Sequence, residues 1–399
     1  MMHADTTAAG PGFRTTVGAL ALGQIVVWAG LFYTFSSMVL PMQQDLGWSK
    51  PTLMGAFTLG LAVWGASSYG VGALIDAGRG RLVMTVGSAL AGGGFLAWAQ
   101  VSQAWQLYAV WAVLGLAMAM NLYEPAFAVL TKRYPTRYLQ GITALTLVGG
   151  FASTLSFPAV AALMGHGLSW RQTLQVMGVV LCAMAPLHAW ALRGPAIVAA
   201  PPQPHEADDA TLHQALRSRA FWLLTLCFAL YAFGQAAMWA HVMPAFADKG
   251  VAQADAMVVL MTVGPAQVAG RLLYVAWGRG WSLRVLGSVV LTGLPLAMLL
   301  FALGQSLPAL LVFALLFGMA NGLVTIVRGG LVPLYFGRGH VGRIGGLMSG
   351  IGLFTRASAP VVATAWLALL PGYRELLLAL AALGVAAVLA FWAARPPAR

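Results

Sequence analysis

Charge is what this sequence has least of. Asp, Glu, Lys and Arg make up 8% of 399 residues, against about 25% in an ordinary soluble domain. So few charges cannot coat a water-facing surface of that size, which excludes a soluble enzyme and a disordered tail. Cysteine is nearly absent. Cys182 and Cys227 both sit in apolar runs and suit packing, so a disulfide framework is excluded as well. Metal-ligand spacings, a phosphate-binding loop and a Ser nucleophile elbow are missing too, so neither enzyme chemistry nor a cofactor is expected. Gly337-Arg-Gly-His-Val-Gly342 matches a dinucleotide fingerprint by letter, but no strand precedes it.

Apolar residues make up 60% of the chain, with 47 Gly and 14 Trp, a composition suited to membrane helices and their interfaces. The net charge of +12 is spread as short basic pairs between apolar runs rather than on one solvated face. It therefore reads as membrane topology and not as a nucleic-acid footprint. A crossing helix needs about 20 apolar residues. Twelve runs meet that length, near 17–42, 52–76, 82–102, 105–130, 141–164, 172–192, 220–246, 257–277, 285–304, 309–335, 345–370 and 375–393. They are too long and too little alternating for a barrel. The expected fold is an all-α membrane protein.

With the N-terminus inside, the inner segments hold fifteen of the 22 basic residues, and the outer loops hold Lys50, Arg171, Lys249 and Arg374. That bias predicts both termini on the cytoplasmic side. Nineteen Arg to three Lys suggests a GC-rich bacterial genome, and with it the bacterial cytoplasmic membrane. The long connection 193–219 carries Pro201, Pro202 and Pro204, then Glu206, Asp208 and Asp209. It divides the chain into an N-terminal six-helix bundle (1–192), a cytoplasmic linker (193–219) and a C-terminal six-helix bundle (220–399). Thr211–Arg219 reads equally as a short amphipathic surface helix or as solvated linker.

Shifting the chain by 200 residues brings Gly78-Arg79-Gly80 onto Gly278-Arg279-Gly280, Gly87-Ser88 onto Gly287-Ser288 and Asn121 onto Asn321. Several matches at one offset imply two related halves about a pseudo-twofold axis, with a site between them. A chain that supplies both halves is expected to act as a monomer.

Between spans 2 and 3 stand Gly72, Leu74 and Asp76, then Arg79, Gly80 and Arg81. With this loop, the chain resembles the major facilitator superfamily of secondary transporters over nearly its whole length. The spacing after Asp76 departs from the usual loop, and Ala276 replaces the acid in the second half. Asp45-Leu-Gly-Trp48-Ser and Gly270-Arg271 resemble the carboxylate-transporting branch. The resemblance implies alternating access, a cavity lined by spans 1, 4, 7 and 10, and an inner latch. In that latch Asp76 meets the start of span 11, alongside Arg79 and Arg81.

Four ionisable residues fall inside spans: Glu124, Arg271, Arg328 and Arg356. Each costs at least ~2.5–3.5 kcal/mol near a helix centre, so each must face a wet cavity or a partner. Arg356 lies deepest, roughly 16 Å in at ~1.5 Å per residue. Glu124 and Arg328 occupy matching places in spans 4 and 10, so Glu124 reads either as half of a salt bridge or as the proton carrier. Pro125 should loosen the helix beside it. Three Arg against one Glu favour an anionic substrate. The expected substrate is a small organic anion, most simply a carboxylate, moved with protons. Arg356, Arg271, Arg328, His241 and Asn121 are the candidate binding residues, Glu124 the coupling residue, and Asp76, Arg79 and Arg81 the latch. Proton-driven efflux of hydrophobic or cationic compounds is the alternative, suggested by 18 Met and 18 Phe.

Overall fold

The computed structural model describes residues 10–194, 209–278 and 280–396. The prolines Pro201, Pro202 and Pro204, the acids Glu206 and Asp208, and Arg279 lie outside the described residues. Among the described residues the chain is helical and has no strand. Twelve long helices follow in order. The first six are α1 (Phe13–Leu46), α2 (Lys50–Leu74), α3 (Gly80–Trp98), α4 (Ala104–Arg133), α5 (Tyr138–Gly165) and α6 (Trp170–Ala191). The others are α7 (Arg219–Asp248), α8 (Gln253–Gly278), α9 (Leu283–Leu303), α10 (Leu307–Phe336), α11 (Val341–Leu367) and α12 (Tyr373–Ala393). Their ends fall within four residues of those expected. α11 is the least obvious from hydropathy, since it carries Arg343, Arg356 and five glycines.

Side chains set several of the helix starts. Ser49 caps α2 with Pro51 in the first turn, and Ser169 with Gln172 forms a capping box on α6. Ser218 and Ser282 cap α7 and α9. Each supplies an acceptor to amides that the helix leaves unpaired. Leu212–Arg217 forms a short helix with Thr211 and Gln214 as its capping box, and it ends where Ser218 starts α7.

Spatially the chain forms two compact units, Met1–Asp209 with Gly337–Leu347, and Ala210–Phe336 with Met348–Arg399. α11 thus begins in the first unit and continues in the second. The first unit packs α3 on α6, α2 on α4, α3 on α4 and α1 on α6. Under a shift of six helices the second unit repeats the pattern, with α9 on α12, α8 on α10, α9 on α10 and α7 on α12. Small residues allow the closest of these approaches. A side chain at Gly115 of α4 would strike the Gly60 carbonyl of α2. One at Gly322 of α10 would strike the Gln267 carbonyl of α8. Wide π-helical turns end both α2 and α8, at Ile75–Arg79 and Tyr274–Gly278, so the internal repeat extends to backbone geometry.

Candidate functional site

In the first unit, the turn after α2 delivers Asp76 to the start of α11. Its Oδ1 accepts from the Gly342 amide at 2.9 Å and its Oδ2 from the Arg343 amide at 2.8 Å. These are among the first amides of α11, which the helix itself cannot satisfy, and the helix dipole adds to their attraction for a carboxylate. Lys132 Nζ lies 3.4 Å from Asp76 Oδ1 and donates to the Gly339 carbonyl at 2.9 Å. The Asp76 side chain is 3% exposed. Among the described residues Lys132 is the cation within 4.0 Å of Asp76, while Arg79 and Arg81 are exposed. Gly78, between Asp76 and these arginines, adopts a left-handed φ of 81° that favours glycine. The same turn before α11 is held from its other side. Asp209 accepts from the Arg338 amide at 3.0 Å and the Gly339 amide at 2.6 Å.

α4 is two helices end to end. Ala104–Asn121 stops at Leu122, whose ψ of −162° is extended, and Tyr123–Arg133 begins immediately with Glu124 in its first turn. Pro125 explains the break: it has no N–H to offer the Asn121 carbonyl, and its ring crowds that oxygen. Gln24 Nε2 of α1 supplies the missing donor at 2.8 Å. Asn121 itself is fully buried; its Oδ1 accepts from Ser88 at 2.9 Å and its Nδ2 donates to the Ala117 carbonyl at 3.1 Å.

In the second unit α11 presents Arg356 to α7, and Arg356 Nη2 donates to Gln235 Oε1 at 2.8 Å. Gln235 Nε2 in turn donates to Asn321 Oδ1 of α10. One turn before Gln235 on α7, Tyr231 is 4% exposed, and its hydroxyl has no hydrogen-bond partner among the described residues. Arg328 of α10 donates to Ser349 Oγ of α11 at 2.8 Å. Arg271, 3% exposed on α8, donates Nε to the Gly322 carbonyl at 2.9 Å. These three mid-helix guanidiniums, Arg271 buried and Arg328 and Arg356 half-buried, lie in one unit. Its acids sit at helix ends: Asp248 at the end of α7, Asp255 and Glu375 in the first turns of α8 and α12. His241 faces the Pro360 carbonyl at 3.3 Å and Thr364 at 3.4 Å on α11, away from the Arg356–Gln235 pair along α7.

Gln235, Tyr231, Ser349 and Lys132 were not singled out from the sequence. For Gln235 there was a signal, a lone amide amid the apolar run of α7. Asp45, singled out for a family motif, accepts from Trp170 Nε1 at 3.0 Å and lies 3.4 Å from Arg171, whose Nη1 also donates to the Ala99 and Val101 carbonyls at 2.9 Å. It ties the end of α1 to the start of α6, whose Arg171 reaches the end of α3.

Twelve long apolar helices, with polar side chains buried in mid-helix and a carboxylate on the start of a helix, define a multi-pass membrane protein. Residues 20–288 match the sequence profile of the Major Facilitator Superfamily. The chain belongs to that superfamily of secondary transporters. It is 28% identical to human monocarboxylate transporter 11 over 318 residues, 76% of this chain and 65% of that protein. It is 25% identical to the oxalate:formate antiporter of Oxalobacter formigenes over 239 residues, 58% of this chain and 56% of that protein. The matches therefore span less than two thirds of either relative. Two crystal structures share the fold, each over 96% of this chain with a TM-score of 0.73. The human organic anion transporter MFSD10 is 16% identical and matched over its full length; the E. coli fucose:proton symporter is 12% identical and matched over 99%.

Proposed function

We propose that the chain moves a small organic anion, a carboxylate, across the bacterial cytoplasmic membrane by alternating access, coupled to protons. The observation that carries this reading is the Arg356–Gln235–Asn321 cluster, in which a guanidinium in mid-helix donates to the Gln235 amide, itself bonded to Asn321. Arg binds a carboxylate with paired, charge-assisted hydrogen bonds, so an anionic guest is what this setting accommodates. Arg271 and Arg328 on neighbouring helices of the unit add to the positive field. The names of the two sequence relatives point to the same substrate class.

In this reading the chain works as a monomer of two six-helix bundles, 1–192 and 220–399, joined by the cytoplasmic linker, with both termini cytoplasmic. Asp76 is the inner latch, with Lys132 as its cation, and Arg79 and Arg81 stand by as surface charge. Glu124 carries the proton: it opens a half-helix beside a break, where a carboxyl can gain and lose a proton without unwinding a continuous helix. Asn121 shapes that break rather than meeting the substrate. His241 closes the outer part of the binding region by holding α7 to α11.

One feature favours efflux of hydrophobic compounds instead. A cavity of about 530 Å³ in the first unit is lined by Phe32, Tyr33, Phe35 and Phe57, with Ser36 and Gln43 at its polar side.

Uptake by proteoliposomes separates the two. Wild type should take up small mono- or dicarboxylates saturably. Arg356→Gln should lose roughly 10–150-fold, the equivalent of a ~1.5–3 kcal/mol hydrogen bond to a charged group. Glu124→Gln should exchange internal for external substrate normally yet fail to accumulate it against a gradient when driven by a pH difference. Undiminished carboxylate uptake by Arg356→Gln, or undiminished accumulation by Glu124→Gln, contradicts the corresponding assignment.

A further inference from the structure

His188, in the last turn of α6, is fully buried in the first unit and has no place in the mechanism so far. Its Nδ1 lies 2.9 Å from Ser88 Oγ. That oxygen also lies 2.9 Å from the Met84 carbonyl and 2.9 Å from Asn121 Oδ1. Both of those are acceptors, and Ser88 has a single proton to give them. If Ser88 gave it to His188 instead, the hydroxyl oxygen would face two acceptors with nothing between. The imidazole must therefore be the donor, with its proton on Nδ1. His188 Nε2, without a hydrogen-bond partner among the described residues, then faces Gly23 of α1 as a bare acceptor. A proton placed there would be a buried donor facing carbon.

The resulting chain runs one way: His188 Nδ1–H to Ser88, Ser88 O–H shared between the Met84 carbonyl and Asn121 Oδ1, and Asn121 Nδ2 to the Ala117 carbonyl. Asn121 is the last residue before the break in α4. Its carbonyl, freed by Pro125, is held by Gln24, the neighbour of Gly23. Two glycines make room for this chain. A side chain at Gly23 would collide with His188 Nε2, and one at Gly87 would collide with Asn121 Nδ2.

We propose that His188, held neutral with its proton on Nδ1, is a positioning residue that fixes the α4 break, and hence Glu124, through Ser88 and Asn121. This rests on the reading of Glu124 as the coupling residue. His188 carries no proton of the transport cycle. It acts as a fixed donor, so an amide whose nitrogen falls where Nδ1 lies should replace it. Asn is such a residue. Gln places its amide nitrogen nearer Nε2, where no acceptor waits, and Leu donates nothing.

The test is pH-driven accumulation and substrate exchange in proteoliposomes of the full chain, for His188→Asn, His188→Gln and His188→Leu beside Glu124→Gln. His188→Asn should accumulate within roughly twofold of wild type. The Gln and Leu variants should lose at least roughly tenfold in accumulation while keeping exchange, as Glu124→Gln does; a tenfold loss corresponds to ~1.4 kcal/mol. Full accumulation by the Gln variant overturns the proposal, as does loss of both activities in all three variants, which would mark a bundle that merely fails to pack. If Glu124→Gln itself accumulates normally, the coupling assignment fails, separately from the His188 chain. A measurement free of transport completes the test. The ¹⁵N spectrum of histidine-labelled protein should contain one imidazole, absent in His188→Asn, protonated on Nδ1 and bare on Nε2. The reverse tautomer overturns the proposal.

Discussion

Asp76 has three donors on one carboxylate: two amides at the start of α11 and the Lys132 ammonium. Each is a charge-assisted contact. Asp76→Asn keeps the shape but removes the charge, and its NH₂ group must turn toward one of those donors. Weakening this contact should free the start of α11 and raise labelling of inner-side single-cysteine reporters, with the native Cys182 and Cys227 replaced. Equal labelling of the Asp76→Asn variant and its Asp76 parent would rule out the latch. Asp76 was legible because its turn has a fixed spacing around Gly72 and Leu74. Lys132 was not, because it comes from another helix 56 residues on. The arginines that follow Asp76 looked like its partners in sequence, but both are exposed and the ion pair is made by Lys132.

At the scale of the element, the break in α4 has a single local cause, Pro125, and a non-local remedy, Gln24. A helix running straight through Pro125 would carry a penalty of about 3 kcal/mol, which the break avoids and alanine would not impose. Pro125→Ala should restore the amide to the Asn121 carbonyl and run the two halves together. The variant should melt at the same or a higher temperature than wild type yet transport at least roughly tenfold more slowly, a trade between stability and function. A lower melting temperature with normal uptake would mean that the break is only strain. The loosening beside Glu124 was readable from Pro125. The remedy was not, since Gln24 and Asn121 are 97 residues apart. The second unit makes a related contact between Gln235 and Asn321. In each unit, then, a glutamine on the first helix donates to an asparagine on the fourth. The 200-residue offset aligns the two asparagines but not the two glutamines, which lie 211 apart in the sequence, so the likeness emerged only in the fold.

For the molecule as a whole, hydropathy and loop charge were enough to number and bound the helices, because lipid admits few alternatives to a continuous apolar helix. The packing order of the first unit recurs in the second, in keeping with the two related halves that the repeat implied. The identity of the partners around each buried charge did not, since those contacts join helices distant in sequence. Arg356 illustrates this: its place in mid-helix was evident, but its bond to Gln235 of α7, and Gln235's to Asn321 of α10, emerged only in the fold.

The proposed anion site is built on Arg356, and ligand-induced thermal stabilisation of purified protein in detergent probes it without transport. Carboxylates, phosphorylated metabolites, neutral sugars and lipophilic cations would be compared on wild type and Arg356→Gln. Stabilisation by bound ligand grows with occupancy, about 2.7 kcal/mol at a hundredfold excess over Kd. An anion site at Arg356 predicts a saturable rise in melting temperature with carboxylates that disappears in Arg356→Gln. A rise with lipophilic cations, undiminished in the variant, would contradict it and leave the arginines as structural pairs in a hydrophobic efflux pump.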